Sequence, residues 1–280
     1  MFNTISKAGG ADSFCSVVVP AIHRLMYKIE DQEITQEFAE MWAAAGDHLN
    51  KQVDGGIQTW LRCSLGSAML EHLSFRLGNQ LFFLHVVDVD GKVFGPGSYE
   101  GLKSISNGCN GHCCLLPMKK HMFQGWQPAR PSWGLISPED GSSINPIELV
   151  SDEDIVMTDW ELHDFAVQVV RDDLTGKGFK ITSVQGNPAV NPSLWFLGDS
   201  GQLEFVVVGH GKYPAKAADR PNNIDNIRDH FDKLKYKGHF ASVVFSSEDE
   251  AFNPLDTQPM CQLYRGHGFY IKYEGIEALS

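Results

Sequence analysis

The sequence has no long apolar run and no excess of positive charge. No window approaches the roughly 18 consecutive apolar residues that a membrane-spanning helix needs. The N-terminal stretch MFNTISKAGGADSFCS lacks the basic start and the apolar run of a secretory signal. These absences predict a soluble, cytoplasmic protein that does not bind membranes. With 23 basic and 35 acidic residues the net charge is −12, which repels nucleic acid at long range.

Cysteine is also scarce, because six cysteines in 280 residues are too few and too scattered for a disulfide scaffold. Reduced thiols are therefore expected. Three of them fall in SNGCNGHCCLLP together with His112. The spacing is poor for zinc, which usually takes paired cysteines from two separate knuckles. One hypothesis is a cysteine-dependent hydrolase or transferase in which His112 lowers the pKa of the Cys113 thiol; the alternative is a set of buried, idle cysteines.

The first half of the chain predicts helices and a hairpin. Apolar residues at spacings of three and four predict an amphipathic helix over residues 33–52, and a more buried helix is expected over 57–72. The stretch GNQLFFLHVVDVDGKVFGPG predicts two strands joined by a turn at Asp90 and Gly91. Residues 95–150 have turn-forming composition but many apolar side chains, which indicates a packed, loop-rich region.

The second half predicts a sheet flanked by helices. Thr158 and Glu161 form a capping-box pattern that should begin a helix. The β-rich runs FKITSV, SLWFL and LEFVVV follow, then a helix in IDNIRDHFDKL, a strand in HFASVVFS, and an edge strand or hairpin in QLYRGHGFYIKYEG. No internal repeat is visible. We therefore expect an α+β fold with N-terminal helices, a hairpin and loops in residues 1–150 and a C-terminal mixed sheet flanked by helices in residues 151–280.

The motif GDSG at residues 198–201 admits two interpretations. The same letters occur in the nucleophile loop of trypsin-like proteases, where the serine needs a histidine and an aspartate on two β-barrels. Here the motif lies between two short apolar strands, where Asp, Ser and Gly suit a tight turn. A hairpin turn is the favoured interpretation.

The order of elements over residues 159–235 resembles the core of the PD-(D/E)XK nuclease superfamily. In both, a capped helix with a carboxylate precedes a strand, a hairpin, a strand with a carboxylate and a helix. The resemblance implies a restriction-endonuclease-like core that binds Mg²⁺ or Mn²⁺ through acids and an E-x-K lysine. Glu161 matches the helix acid and Glu204 the acid of the E-x-K, so these two are the candidate metal ligands, with Asp199 as a further catalytic candidate.

The residues depart from this family at two positions. Val206 stands where the lysine belongs, and Asn191 or Ser193 stands where the first acid is expected. Lys212 lies eight residues beyond Glu204, about 26 Å along an extended strand, so it does not replace the lysine. The departures favour a nuclease-like core with an eroded site.

Three functional hypotheses follow. The first is a binding or regulatory protein with an unknown protein partner. The second is a divalent-metal phosphodiesterase or nuclease, in which the basic segment 212–237 binds nucleic acid. Its candidate phosphate contacts are Lys212, Lys216, Arg220 and Lys235, although a solvated helix face explains the same charges. The third is the cysteine-dependent enzyme centred on the Cys109–Cys114 loop.

Overall fold

Thr35 caps the helix that opens the described part of the chain, and its hydroxyl accepts a hydrogen bond from the backbone N–H of Phe38. The structure is a computed structural model that describes residues 34–63, 65–66, 69–70, 72–95, 98–250 and 262–279. Within these ranges it contains five helices and two five-stranded mixed sheets, which confirms the predicted α+β fold. None of these helices is long and apolar enough to cross a membrane.

The first sheet is built from residues 59–128. The elements of this half are α1 (Gln36–Asn50), β1 (Thr59–Arg62), β2 (Leu65–Gly66), β3 (Met69–Leu70), β4 (Leu73–Leu77), β5 (Gln80–Asp88), α2 (Tyr99–Gly108), β6 (His112–His121), β7 (Gly125–Pro128) and α3 (Pro146–Leu149). The strand order is β1-β4-β5-β6-β7, with β5 and β6 parallel and the other neighbours antiparallel. β2 and β3 form a separate antiparallel pair.

The second sheet is built from residues 180–278. Its elements are α4 (Asp159–Gly176), β8 (Lys180–Val184), β9 (Leu194–Leu197), β10 (Leu203–Lys212), α5 (Ile224–Lys233), β11 (Lys237–Ser247) and β12 (Phe269–Ala278). The strand order is β8-β9-β10-β11-β12, with β10 and β11 parallel and the other neighbours antiparallel. The predicted helices and strands of this half are confirmed, and β12 lies at the edge of its sheet.

The two sheets share one topology. In each sheet, a helix comes first and is followed by three strands that pair antiparallel, β1, β4 and β5 in one sheet and β8, β9 and β10 in the other. A second helix then leads to a fourth strand, β6 or β11, which pairs parallel to the third. The last strand, β7 or β12, pairs antiparallel to the fourth. We call the α1–β7 part the first unit and the α4–β12 part the second unit. The two units therefore share the order and direction of their strands, although the sequence shows no internal repeat.

In both units the strands alternate their side chains between two helices. In the first unit Phe82 and Leu84 pack into the core that contains α1, while Leu81 and Phe83 pack into the core with Leu102 of α2. The second unit follows the same pattern, with one core against α4 and another against α5. Both sheet faces are therefore covered, and each fully buried large side chain contributes about 2–3 kcal/mol of hydrophobic stabilisation.

The predicted helix over residues 57–72 is wrong. Where the structure describes this segment, it forms β1, β2 and β3. The ring of Trp60 contacts Phe75 at 5.7 Å between centroids, while Leu61 packs with Phe83 on the other face. Successive side chains therefore point to opposite faces, and the period is two rather than 3.6. A short apolar run in the sequence does not distinguish a buried strand from a buried helix.

The predicted hairpin around Asp90 and Gly91 is also wrong in its pairing. The turn exists, since the N–H of Gly91 donates to the carbonyl of Asp88 at 3.0 Å. No strand follows it in residues 92–95; the antiparallel partner of β5 is β4, joined through a turn at Gly78 and Asn79. The Asp88 carboxylate instead accepts three backbone N–H groups of the following loop.

Residues 95–150 are packed, as predicted, but they contain more helix and strand than predicted. Met118 and Trp126 are buried in the first core. The segment contains α2, whose N-cap Ser98 accepts from the N–H of Gly101, and the ten-residue strand β6. The sequence pattern does not indicate α2 and β6 clearly, because turn-forming residues cluster on both sides of each element.

Candidate functional site

Glu161 holds two parts of the structure together. Its carboxylate accepts from the backbone N–H of Thr158 at 2.9 Å, which closes the predicted capping box. The same carboxylate accepts from the guanidinium of Arg265, with Nε to Oε1 at 2.8 Å and Nη2 to Oε2 at 3.0 Å. Arg265 also donates to the carbonyls of Cys109 and Asn110, at the end of α2. Glu161 is therefore an acceptor in a buried network that joins the two units.

Glu204 lies near the start of β10 and is also engaged. Its Oε2 is 2.6 Å from Nε2 of His239 and 3.5 Å from Nζ of Lys237. Both partners are on β11, beside Glu204 in the parallel pairing. The carboxylate is buried and closely approached by the backbone of Gly198, where an added Cβ would lie 2.2 Å from Oε1. Little space remains around Glu204 for a hydrated cation.

The two candidate metal ligands lie at opposite ends of β10. Nζ of Lys212, the last residue of the strand, is 3.7 Å from the carboxylate of Asp159, the first residue of α4. Glu161 is therefore at the Lys212 end, whereas Glu204 is the second residue of the strand. Eight residues of extended strand separate the ends by about 26 Å. The structure does not bring Glu161 and Glu204 together.

A hard divalent cation needs several oxygen ligands, and these residues do not fit that requirement. Over the parts of the chain that the structure describes, no group of three or more His, Cys, Asp or Glu side chains could hold a metal ion. Each candidate ligand already has a cationic or imidazole partner. Glu161 and Glu204 therefore do not fit the Mg²⁺ or Mn²⁺ that the resemblance implies.

Asp199 lies in a tight turn between β9 and β10. The N–H of Gly198 donates to the carbonyl of Gln202 at 2.9 Å, and Gly201 has a φ of 72°, which glycine adopts without strain. The predicted turn is confirmed. Asp199 and Ser200 are exposed at its tip.

The four predicted phosphate contacts are spread over the length of the second sheet. Lys212 ends β10 and pairs with Asp159, while Lys235 precedes β11 at the other end of the parallel pair. Arg220 pairs with Glu277 at 2.7 Å and lies over the Phe240 ring. Lys216 is exposed. This arrangement offers single charges rather than one continuous basic groove.

Cys113 and His112 line a cleft of about 250 Å³ between α2, the start of β6 and the loop at 137–144. They are successive strand residues, so their side chains point to opposite faces. His112 stacks on Phe82 at 5.0 Å, whereas Cys113 packs with the core under α2. The structure places both residues in one cleft without directing the imidazole at the thiol.

The Cys113 thiol is not activated by its surroundings. Burial raises its pKa above the ordinary value, although the Ser106 hydroxyl and the Lys103 ammonium act in the opposite direction. Burial likewise raises the pKa of Cys114 to about 12. Thiolates, which are the nucleophilic form, are therefore scarce at neutral pH.

An exposed apolar surface at one end of the first sheet was not found from the sequence. Met122 and Phe123, at the tip of the β6–β7 hairpin, are 90% and 94% exposed. Val89 follows β5 directly, beside the end of β6, and Phe94 lies in the loop after it; both are also exposed. We call these four side chains the apolar end. The sequence does contain a signal for this surface. Met122 and Phe123 lie directly before Gln124 and Gly125 in a tight turn, where polar residues are usual.

The comparisons with known proteins reach only the second unit. The model of a family described as a domain of unknown function, DUF8840, matches residues 160–279. This range begins in α4 and ends after β12, so it leaves the first unit unmatched. No curated protein and no solved structure matches the chain.

Proposed function

We propose that this chain acts by binding a protein partner rather than by catalysis, on a core whose order of elements resembles that of PD-(D/E)XK nucleases. The observation that carries the proposal is the position of the two acids. Glu161 and Glu204 lie at opposite ends of β10, and each is held by a partner of its own, Arg265 and His239. Carboxylates that serve as structural acceptors are not available to assemble one catalytic centre.

The interior of β10 supports the same proposal. Val206, at the position of the E-x-K lysine, is fully buried in the core against α4. An ammonium group there would lose its hydration inside an apolar core. The side chains offered for such a partner are those of the apolar end, where the neighbours Met122 and Phe123 extend into solvent at the β6–β7 tip.

The experiment that tests the proposal combines metal titration with cleavage assays. We expect no rise in melting temperature with Mg²⁺ or Mn²⁺, since a ligand bound only by the folded state would raise it. We expect no cleavage of single- or double-stranded DNA or RNA. Metal-dependent cleavage that disappears in Glu204→Gln, and persists in a control Glu274→Gln at an exposed position on β12, would overturn the proposal.

A cysteine-dependent enzyme is the second candidate, favoured by one observation, the cleft lined by Cys113. The cleft has polar neighbours, including Lys103 and Ser106, that could orient a small substrate. The raised pKa of the thiol and the orientation of His112 weigh against it. Its test is the rate of thiol modification described below.

A further inference from the structure

We infer that the cleft between α2, β6 and the loop at 137–144 binds a free amino acid with an uncharged side chain. The binding is non-covalent and needs no reaction at the Cys113 thiol. It is independent of the proposed binding of a protein partner, because the cleft lies at the start of β6 and the apolar end lies beyond the end of that strand.

The shared topology of the two units shows which residues of α2 and α5 correspond. Each of these helices has two buried residues that are four positions apart, Leu102 and Ser106 in α2 and Ile227 and Phe231 in α5. Leu102 and Ile227 each pack into the core on that side of their own sheet. Ser106 of the first unit therefore stands where Phe231 stands in the second unit.

The strands under these helices differ in the same way. Both β6 and β11 have the dipeptide Gly-His at their start, and the residue after it faces the helix, Cys113 under α2 and Phe240 under α5. In the second unit, aromatic rings fill the space between helix and sheet. The ring centroid of Phe231 lies 4.7 Å from that of Phe205 and 5.2 Å from that of Trp195. The first unit has a hydroxyl and a thiol at the two positions where the second unit has phenyl rings.

The first unit has a cleft at these two positions. Ser106 and Cys113 line it, and its volume is about 250 Å³. Ser106 is fully buried and forms part of the floor, with its hydroxyl donating to the carbonyl of Lys103 at 3.0 Å. Ile144 adds an apolar side chain to the lining. Pockets for drug-sized ligands measure roughly 300–1,000 Å³, so this cleft fits a smaller molecule.

Two opposite charges lie at the mouth of the cleft. Nζ of Lys103, on α2, is 3.5 Å from Oε1 of Glu139, on the facing loop, and both side chains are exposed. The loop holds Glu139 in place through a turn in which the N–H of Gly141 donates to the carbonyl of Ser137 at 2.9 Å. An exposed ion pair contributes little to stability, so a ligand can replace it at small cost.

This ion pair selects a ligand that carries both charges. A simple anion would approach Lys103 but also the carboxylate of Glu139, and a simple cation would meet the ammonium group of Lys103, and like charges that face each other cost free energy. The carboxylate of an amino acid fits Lys103, and its ammonium group fits Glu139. Because the ligand is neutral as a whole, the net charge of −12 does not repel it at long range. Its side chain then lies towards Ser106, where a charged group would lose its hydration.

Isothermal titration calorimetry of the full chain tests the inference. The probes are the standard L-amino acids, each titrated alone, and then the N-acetyl and amide derivatives of the one that binds most tightly. We expect saturable binding of one or more amino acids with uncharged side chains. Each derivative lacks one of the two charges and should bind at least roughly tenfold more weakly.

Three results of this titration overturn the inference. The first is that no amino acid binds at millimolar concentration. The second is that binding is confined to amino acids with charged side chains. The third is that a derivative binds as tightly as the free amino acid, which would assign the cleft to a simple anion or a simple cation.

Variants at the mouth show whether the amino acid binds in this cleft. Lys103→Met and Glu139→Gln should each weaken binding roughly tenfold, because each removes the partner of one ligand charge. Both residues are exposed, so the melting temperature should stay that of wild type. The matched controls Lys180→Met on β8 and Glu274→Gln on β12, also at exposed positions, should bind as wild type. Binding that both mouth variants leave intact would place the ligand elsewhere and overturn the inference.

Ser106→Phe should close the cleft with the ring that Phe231 supplies in the second unit. We expect binding to be lost while the melting temperature stays or rises, because the ring enters open space. Ser104→Phe, at an exposed position on the same helix, is the control and should keep binding. A folded Ser106→Phe variant that binds as wild type overturns the inference; if this variant does not fold, the two mouth variants decide the test.

Discussion

Arg265 and Glu161 form a buried ion pair between residues that are 104 positions apart in the chain. The guanidinium contacts both carboxylate oxygens and, through its remaining N–H groups, the carbonyls that end α2. A buried charge of this kind is tolerated because its hydrogen-bonding capacity is used. The pair joins the start of α4, the connection before β12 and the first unit at a single point.

Removing Arg265 should destabilise the fold strongly. Arg265→Met leaves the Glu161 carboxylate buried without its cationic partner, which costs about 3–5 kcal/mol of unfolding free energy. Urea unfolding followed by circular dichroism measures the change. Arg130→Met, at an exposed arginine, is the control and should stay within about 0.5 kcal/mol of wild type.

The double variant Glu161→Gln/Arg265→Met measures the interaction energy between the two side chains, apart from their contacts with other residues. Glu161→Gln keeps the capping geometry, since glutamine serves in a capping box, but removes the charge. Combined with Arg265→Met it should cost less than the sum of the two single changes, because neither group is then left charged and alone. Strictly additive losses would show that the two side chains do not interact.

Only half of this site is accessible to sequence reasoning. Thr158 and Glu161 are three residues apart, and the capping box is a local pattern, so the start of α4 follows from four letters. Arg265 reaches Glu161 only through the folded chain, and no spacing in the sequence indicates it. From the sequence alone, the Glu161 carboxylate therefore has no cationic partner, and the metal hypothesis depends on a carboxylate that is available to bind a cation.

The same limit explains the fold errors. Strands β8 to β11 carry β-branched and aromatic residues between clear turns, and they were predicted. Trp60 and Leu61 belong to an apolar run whose period is decided by Phe75 and Phe83 on other strands. The shared topology of the two units was invisible because it is defined by strand order and direction, which different core residues can satisfy equally well.

A lysine at position 206, where the PD-(D/E)XK resemblance implies one, should fail to create nuclease activity. Val206→Lys puts an ammonium group into a fully buried apolar position, and we expect a loss of several kcal/mol of stability. Val206→Met, which keeps an apolar side chain at the site, should cost less than about 1.5 kcal/mol. Urea unfolding measures both. A stable Val206→Lys variant that cleaves DNA with Mg²⁺ would mean that the acids converge on this position.

Thiol modification should be slow at Cys113. Burial raises the pKa of this thiol, so at neutral pH its rate with iodoacetamide should fall below that of an ordinary exposed thiol. Mass spectrometry of peptides resolves each site, and exposed Cys63 provides the internal comparison. Cys113 reacting faster than Cys63, with the rate lost in Lys103→Met, would favour the cysteine-dependent enzyme.

Acid should destabilise the second unit through His163. Its imidazole packs against that of His210 at 5.4 Å between ring centroids, and its Nε2 has no hydrogen-bond partner within the described chain. Burial, with a smaller effect of His210 and an opposing one of Asp164, lowers the pKa of His163 to about 4. The folded state therefore favours the neutral ring.

The sign of the pH effect follows from that shift. The folded pKa lies below the unfolded value of 6.5, so the stabilising contribution is complete above pH 6.5 and is lost as the pH falls towards 4. About 2 kcal/mol should be lost between about pH 8 and pH 5. His163→Leu has no proton to bind and should lose about 2 kcal/mol less than wild type over this range in urea unfolding, whereas His121→Gln, at an exposed histidine, should leave the loss unchanged. Equal slopes for wild type and His163→Leu would mean that His163 titrates alike in the folded and unfolded chain, and that its burial does not control the acid response.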